Sequence, residues 1–311
     1  MTYPKVTVVG AGQVGATAAF LMATKQVADV VMVDVAEGLP QGKALDMMHA
    51  RSVEQFGPRV SGTNDYADTA RSDVVVITAG LPRKPGMTRD DLLAANSAIV
   101  RSVVGSALEA SPDAVLVCVT NPLDIMCYLA WKLSGLPATR VLGMGGVLDS
   151  ARFAYAIAEA TGAPIASVRA LACGAHGDAM VPLPGQSTVD GRPLAEILSA
   201  VDIAALVERT IFGGAEVVAL LKTGSAFYAP AASVVSMVEA ILGDTGETLP
   251  SCVHLSGQYG IDDVYMSVPA TLGREGLRAV PELALSAEET EALRASAATI
   301  AEALDAMGLR G

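Results

Sequence analysis

The chain contains three histidines, and one of them lies in a sequence that could perform acid–base chemistry. His176 occupies the fourth position of C-G-A-H-G-D, directly after a predicted strand, where the flanking glycines leave an imidazole accessible. Such an imidazole can move a proton near neutral pH, and a carboxylate partner would fix its tautomer. A histidine without such a partner is more often structural. We interpret His49, in a predicted helix, and His254, which has no supporting motif, as structural.

A carboxylate and a guanidinium that could serve such a histidine lie at the start of a predicted helix. The sequence L-D-S-A-R places Asp149 and Arg152 three residues apart, on neighbouring positions of one helical face. Asp149 could therefore meet a histidine while Arg152 binds a substrate carboxylate. An ordinary surface ion pair would have the same spacing, so the spacing leaves both interpretations open.

A second functional pattern, G-A-G-Q-V-G, occupies residues 10–15 between a predicted strand and a predicted helix. In this context G-x-G-x-x-G is typical of a dinucleotide-binding turn. Gly10 permits the tight turn, Gly12 lets the backbone approach a pyrophosphate, and Gly15 lets the helix pack closely on the strand. The helix N-terminus supplies free N–H groups for the anion.

An acidic residue at the end of the next predicted strand indicates which dinucleotide binds. Asp34 follows Gly15 by 34 − 15 = 19 residues. Its carboxylate can accept hydrogen bonds from a ribose diol and would repel a 2′-phosphate, and Val35 beside it offers no cation. The pattern favours NAD over NADP. The alternative is a structural turn followed by a solvated aspartate.

A basic segment, residues 80–91, follows the predicted strand 73–79 and contains Arg83, Lys84 and Arg89. In a doubly wound sheet this strand should lie beside the first one, at the switch point where ligands bind. We interpret the segment as a lid that closes cations over an anionic substrate and excludes water. The alternative is a solvated surface loop.

Alternating strands and helices form the frame for these residues. Strands rich in Val and Ile are predicted at 5–9, 30–33, 73–79, 114–120 and 140–142, and helices between them at 14–24, 42–51, 88–109 and 123–133. Continuous apolar strands separated by helices indicate a parallel sheet covered on both faces. The second half has strand-like pieces at 168–173 and 187–189, helical patterns at 203–221 and 229–242, and a last helix with a capping box of Ser286 and Glu289.

These patterns predict an α/β fold with two domains. A Rossmann-type doubly wound parallel sheet, residues 1–145, would bind NAD, and an α+β catalytic domain, residues 146–311, would follow it.

Charge and hydropathy exclude several classes of partner. The chain has 21 basic and 33 acidic residues, a net charge of −12, which disfavours nucleic acid and anionic membrane surfaces. A few local arginines can still bind a small anion. No apolar stretch reaches the ~18 residues that span a bilayer. The early first strand leaves no room for a signal peptide, the four cysteines form no C-x-x-C pair, and no metal-ligand spacing occurs, so we predict a cytoplasmic protein with buried free thiols.

The motifs together resemble those of the lactate/malate dehydrogenase family over essentially the whole chain. They occur in the family's order, with G-A-G-Q-V-G at Gly10, then Asp34, R-K-P-G-M-T-R at Arg83, T-N-P at Thr120, L-D-S-A-R at Leu148 and G-A-H-G-D at Gly174.

The resemblance implies a role for each matching residue. His176 would be the catalytic acid/base, with Asp149 as its partner, and Arg89 would polarise the substrate carbonyl. Arg152 would clamp the substrate carboxylate, and Asn121, before a cis Pro122, and Ser225 would line the substrate site. The implied cofactor-binding residues are Gly10, Gly12, Gln13, Val14, Gly15, Asp34, Asn96, Thr120 and Asn121.

Arg83 indicates the substrate. At this loop position the family carries glutamine when the substrate is lactate and arginine when it is malate. Physically, oxaloacetate has a second carboxylate that needs a second cation, whereas closing Arg83 over the methyl group of pyruvate would leave an unpaired, desolvated charge. The resemblance implies NAD-dependent interconversion of malate and oxaloacetate by a homodimer or homotetramer. The alternatives are a lactate dehydrogenase and a non-catalytic NAD-binding protein on the same scaffold.

Overall fold

The structure is a computed structural model that describes residues 2–81 and 89–310, and the side chains of residues 89 and 90 are also outside the described part. The chain divides into two compact units. Unit 1 consists of Met1–Met144, Phe227–Glu247 and Leu272–Arg278. Unit 2 consists of Gly145–Ala226, Thr248–Thr271 and Ala279–Gly311.

The elements of the described residues are numbered in chain order. The strands are β1 (Lys5–Val9), β2 (Asp29–Val33), β3 (Val60–Thr63), β4 (Val74–Ile77), β5 (Val115–Cys118), β6 (Val141–Gly143), β7 (Val168–Arg169), β8 (Ala172–Gly174), β9 (Met180–Pro182), β10 (Thr188–Val189), β11 (Arg192–Pro193), β12 (Thr248–Ser256), β13 (Asp262–Gly273) and β14 (Gly276–Ala279). The α-helices are α1 (Gln13–Thr24), α2 (Leu39–Glu54), α3 (Arg89–Ala110), α4 (Leu123–Ser134), α5 (Gly146–Thr161), α6 (Ala200–Leu221), α7 (Tyr228–Leu242) and α8 (Ala287–Ala306).

Unit 1 contains a parallel sheet in the order β3-β2-β1-β4-β5-β6. Strands β4 and β5 are buried at every residue, as expected for strands covered on both faces. Strands β1 and β4 are neighbours, with Val8 beside Val76, so their predicted adjacency is confirmed. The order of the strands along the sheet reverses between these two strands. This is the switch point at which such sheets bind ligands.

Helix α7 returns to unit 1 late in the chain and packs against α1. The buried residues of α1 are mostly glycine and alanine, which permits close approach. Lys25, which caps the C-terminus of α1, donates to Glu239 of α7 with an Nζ–Oε2 distance of 3.0 Å. The division predicted after residue 145 does not include this return or the second one at Leu272–Arg278.

Unit 2 combines helices with antiparallel strands. Strand β12 pairs with β13, β13 with β8, and β8 with β9, while β7, β10 and β11 form a separate small sheet. Helix α5 buries Phe153 and Ile157 against Leu194 and Leu206. The predicted order of a Rossmann-type sheet followed by an α+β region is therefore confirmed.

All four cysteines are buried and free, as predicted. Burial, and then the negative charge of Glu289, raise the pKa of Cys173 to about 12. A hydrogen bond with Cys127, followed by burial, raises the pKa of Cys118 well above its ordinary value. These thiols therefore stay protonated and unreactive at neutral pH. Among the helices of the described residues, none is long and apolar enough to cross a membrane.

The predicted capping box at the start of α8 is present. The Ser286 hydroxyl accepts from the Glu289 N–H at 3.1 Å, and the Glu289 carboxylate accepts from the Ser286 N–H at 3.0 Å. We expect Ser286→Ala to lower the free energy of unfolding by about 1 kcal/mol, because the Glu289 N–H in the first turn loses its side-chain partner. Urea denaturation followed by circular dichroism measures this. Ser102→Ala, at an exposed position inside α3, is the matched control, and an equal loss in both variants would contradict the capping argument.

Candidate active site

The glycine loop joins β1 to α1 and has the geometry of a tight turn. Gly10 has φ = +101°, and a Cβ there would lie 2.8 Å from the backbone nitrogen of Ala79. A Cβ at Gly15 would overlap the carbonyl oxygen of Gly10. Among the residues that the structure describes, other than the chain neighbours of Gly12, none has a heavy atom within 4 Å of a Cβ placed on Gly12, so this side is open toward them. The loop therefore packs closely on the strands while leaving one side of Gly12 accessible.

The N-terminus of α1 offers hydrogen-bond donors at this open side. Gly12 is the N-cap and has no side chain that could bond the first-turn N–H groups of Gln13, Val14 and Gly15. Free N–H groups and the positive end of the helix dipole bind phosphates. The residues present fit the pyrophosphate of a dinucleotide.

Asp34 directly follows β2 and is bonded to the glycine loop. Its carboxylate accepts from the Ala11 N–H at 2.7 Å and from the Ala36 N–H at 2.9 Å. Asn64 donates to the Asp34 carbonyl at 2.6 Å. Burial, and then the charge of Asp34, raise the pKa of Tyr66 to about 12, so its phenol stays protonated. The half-buried Asp34 carboxylate can bind a ribose diol and repels a 2′-phosphate.

Asn96 and Thr120 connect the segments that follow β4 and β5. The Asn96 side chain accepts from Leu81 N at 2.8 Å and donates to the Asn121 carbonyl at 2.7 Å. The Thr120 hydroxyl donates to Ala79 O at 2.7 Å. Both side chains are thus engaged with the backbone around the switch point. Asn121 is exposed, and its bond to Pro122 is cis, as the resemblance implies.

The predicted lid lies largely outside the described residues. Arg83 and Lys84 fall between residues 81 and 89, and Arg89 begins α3 with a side chain that is also outside the described part. Their predicted contacts with substrate remain predictions.

Unit 2 brings Asp149, Arg152 and His176 together. Asp149 lies in the first turn of α5, and its side chain is 2% exposed. One carboxylate oxygen is 2.9 Å from Nδ1 of His176, and the other is 3.1 Å from a guanidinium nitrogen of Arg152. The buried carboxylate therefore compensates the charge of Arg152 and orients the His176 imidazole through Nδ1. With Nδ1 bound to Asp149, proton exchange with a substrate would pass through Nε2, the other ring nitrogen.

Arg152 lies against two glycines of α6. A Cβ at Gly213 or Gly214 would be 3.4 Å from Arg152 side-chain atoms, so larger residues there would crowd its guanidinium. Neither glycine was predicted from the sequence to contact Arg152. Ser225 is exposed in the segment between α6 and α7.

Ser296 of α8 holds the loop that carries His176, a role that was not predicted from the sequence. Its buried hydroxyl accepts from the Ala175 N–H at 2.8 Å and donates to the Ala179 carbonyl at 2.6 Å. A Cβ at Gly174 would lie 2.8 Å from this hydroxyl. The position of Ser296 inside the apolar stripe of α8 (Leu293, Ala297 and Ile300) is the signal that could have marked it.

A cavity of about 400 Å³ lies elsewhere in unit 1, where β4, β5 and β6 begin. Its lining includes Arg71, Asp73, Asp113, Arg140 and Arg274. The glycine loop and Asp34 lie at the ends of their strands. Because doubly wound sheets bind ligands at the carboxyl ends of the strands, this cavity is not the candidate cofactor site.

Comparison with known proteins gives the chain's relatives. The family model of the lactate/malate dehydrogenase NAD binding domain matches residues 4–143, and that of the alpha/beta C-terminal domain matches residues 146–308. The malate dehydrogenase of Nostoc punctiforme is 51% identical, over 97% of this chain and 92% of its own length.

Two solved structures are also similar over nearly the full length. The malate dehydrogenase of Cryptosporidium parvum has a TM-score of 0.96 and 42% identity, covering 99% of both chains. The lactate dehydrogenase of the same organism, complexed with lactic acid and β-nicotinamide adenine dinucleotide, has a TM-score of 0.94 and 40% identity, covering 98% of this chain and 99% of its own. The resemblance seen in the motifs is confirmed: the chain belongs to the lactate/malate dehydrogenase family of NAD-dependent oxidoreductases.

Proposed function

We propose that this enzyme interconverts (S)-malate and oxaloacetate with NAD as cofactor. The observation that carries the proposal is the cluster in unit 2, where one buried carboxylate contacts both an imidazole, at 2.9 Å, and a guanidinium, at 3.1 Å. Such a cluster supplies a proton acceptor and a carboxylate clamp, the two groups that oxidation of a 2-hydroxy acid requires. The name of the Nostoc punctiforme relative supports malate as the substrate.

The residues of the cluster would divide the work. Nε2 of His176 takes the hydroxyl proton of malate and returns it to oxaloacetate in the reverse direction. Asp149 holds the tautomer and stabilises the imidazolium. Arg152 binds the carboxylate next to the reacting carbon through two parallel hydrogen bonds, and Ser225 lines the substrate pocket. NAD, when bound, supplies the hydride acceptor.

The basic segment would complete the substrate site. Arg83 neutralises the second carboxylate of oxaloacetate, and Arg89 stabilises the charge that develops on the carbonyl oxygen. Both roles are proposed from the sequence, because the side chains of these residues lie outside the described part. Asn121 would lie near the same reacting oxygen and near the nicotinamide ribose.

Unit 1 would hold the cofactor. The N–H groups of Gln13 and Val14, beside Gly12, bind the pyrophosphate, and Asp34 binds the adenosine ribose. Gly10 and Gly15 shape the loop. Because the side chains of Asn96 and Thr120 are engaged with the backbone, we propose that they shape the nicotinamide end of the site.

Cofactor selectivity tests the role of Asp34. We expect Asp34→Ser to weaken NADH binding about tenfold, because a carboxylate that accepts hydrogen bonds is lost. Binding of NADPH should improve, since the charge that repels the 2′-phosphate is removed. Fluorescence titration with both dinucleotides measures the ratio. Asp46→Ser, which removes a carboxylate from an exposed position of α2, should leave the ratio unchanged. An unaltered preference in Asp34→Ser would contradict the assignment.

The reaction itself is tested by NADH oxidation with paired 2-oxo acids. We expect a higher kcat/KM for oxaloacetate than for pyruvate. A preference for pyruvate would make the enzyme a lactate dehydrogenase and overturn the role of Arg83. Failure to transfer hydride to either acid, with NADH binding intact, would favour a non-catalytic NAD-binding protein.

We further propose a role for each domain, a homo-oligomeric assembly and a cytoplasmic location. Residues 1–145 bind the cofactor, and residues 146–311 bind the substrate and move the proton. A homodimer or homotetramer is supported by Leu45 and Val53 of α2, whose apolar side chains are 58% and 79% exposed. The free, buried cysteines are typical of a protein of the cytoplasm.

A further inference from the structure

Lys43, on the second turn of α2, contacts the glycine loop from the side of its carbonyl groups. Its ammonium group donates to the Ala11 carbonyl at 2.7 Å and lies 3.3 Å from the Gly12 carbonyl. These two residues lead directly into α1, whose first-turn N–H groups have no side-chain cap. The lysine therefore contacts the peptide groups that set the direction of the first N–H groups of α1.

The loop is held from two directions. Asp34 accepts the Ala11 N–H at 2.7 Å, whereas Lys43 binds the Ala11 carbonyl on the other side of the same residue. The Ala11 N–H belongs to the peptide group before Ala11 and the Ala11 carbonyl to the one after it, so each of the two peptide groups that flank Ala11 is held by a charge-assisted bond. Loss of Lys43 would leave the Ala11 carbonyl without its partner and free the loop to turn.

The position of Lys43 is not explained by helix stability. It is the fifth residue of α2, close to the positive end of the helix dipole, where a cation is disfavoured, and the first turn contains no acidic residue. Among the described residues, Lys43 forms no ion pair with a carboxylate. In a chain with a net charge of −12, this ammonium group places a positive charge beside a loop that fits an anion.

We infer that Lys43 is a positioning residue for the cofactor: it fixes the Ala11–Gly12 backbone and adds positive charge where the pyrophosphate binds. The inference rests on the proposed binding of NAD at this loop. It adds a residue to the cofactor site that the G-x-G-x-x-G pattern and Asp34 do not include.

The test is the affinity of Lys43→Met for NADH and for ADP-ribose, measured by isothermal titration calorimetry at low and high sodium chloride. Both ligands contain the pyrophosphate, and we expect both dissociation constants to rise about tenfold at low salt, the loss of one charge-assisted contact. The dependence of affinity on salt should become shallower than in the wild type, because an ionic contribution has been removed. In turnover, KM for NADH should rise while kcat and KM for oxaloacetate stay constant.

Two further variants separate this role from general stability or charge. Lys43→Arg keeps a cationic donor and should recover most of the affinity. Lys25→Met removes the same charge from unit 1, where Lys25 pairs with Glu239, and should bind both ligands as the wild type does. Hydrogen exchange in residues 10–16 should be faster in the ligand-free Lys43→Met than in ligand-free wild type.

The outcomes distinguish the inference from the proposed function. If the wild type bound neither NADH nor ADP-ribose, the proposed function itself would fail. If the wild type bound both and Lys43→Met bound them equally well with the same salt dependence, the role of Lys43 would be refuted. Equal weakening in Lys25→Met would refute it as well, since net charge alone would then explain the loss.

Discussion

His176→Ala is expected to lower kcat for oxaloacetate reduction by about 100-fold to 10,000-fold, the usual contribution of a positioned general acid–base group. The His176 side chain is 12% exposed and contacts Asp149 through Nδ1. Alanine removes the proton donor while Asp149 keeps its ion pair with Arg152 at 3.1 Å, so no buried carboxylate is left without a partner. The variant should therefore fold, and steady-state rates of NADH oxidation measure the loss.

Two controls accompany His176→Ala: its affinity for NADH, and the activity of a variant that lacks a different histidine. NADH affinity should be unchanged, because the glycine loop and Asp34 belong to unit 1 and His176 belongs to unit 2. His49→Ala, at an exposed position of α2, should keep the wild-type kcat. A near-normal kcat in His176→Ala would remove the histidine from the mechanism and with it the reason for the buried Asp149.

The parallel sheet of unit 1 was predictable because its strands are buried on both faces. Runs such as Val74–Ile77 are apolar at every position, and this pattern separates them clearly from the amphipathic helices between them. Strand β3 (Val60–Thr63) was not predicted, since Ser61 and Gly62 interrupt the apolar run. A glycine is needed at 62 because a Cβ there would overlap the backbone of Pro40.

The long hairpin of β12 and β13 was not predictable from local pattern. Each strand contains a proline, and Pro250 pairs directly with Pro269 in the antiparallel register. Because a proline lacks the N–H that a ladder needs, its presence argues against a strand when the sequence is considered alone. Only the pairing of β12 with β13 in the folded chain shows that both segments are strands.

Some contacts of the functional residues were predictable from spacing in the sequence, and others arise only from the fold. The spacing of Asp149 and Arg152 predicts one helical face, but the contact with His176 joins positions 27 residues apart and is settled only by the fold. Lys43 and Ser296 carry no motif of their own. Their bonds to Ala11 and Ala175 follow from the packing of α2 and α8. Only Ser296 has a signal in the sequence, its polar side chain inside the apolar stripe of α8, and that signal does not identify the partner.

Arg83→Gln is expected to reverse the order of the two 2-oxo acids. Oxaloacetate needs a cation for each carboxylate, and Arg152 supplies only one. Removing one partner of a desolvated charge pair costs about 2–5 kcal/mol, so kcat/KM for oxaloacetate should fall at least about 30-fold. The kcat/KM for pyruvate should rise, because a neutral glutamine can close over a methyl group without leaving a buried charge unpaired. Initial rates with both acids at saturating NADH measure the change.

Lys84→Gln is the matched control, since it removes the same charge from the neighbouring position of the same segment. If the guanidinium at residue 83 acts by direct pairing with the distal carboxylate, Lys84→Gln should keep the preference for oxaloacetate while Arg83→Gln loses it. An equal shift in both variants would mean that the segment attracts dianions through its overall charge. That result would overturn the assignment of specificity to Arg83 while leaving His176 and Asp149 in place, because acid–base catalysis is needed for either substrate.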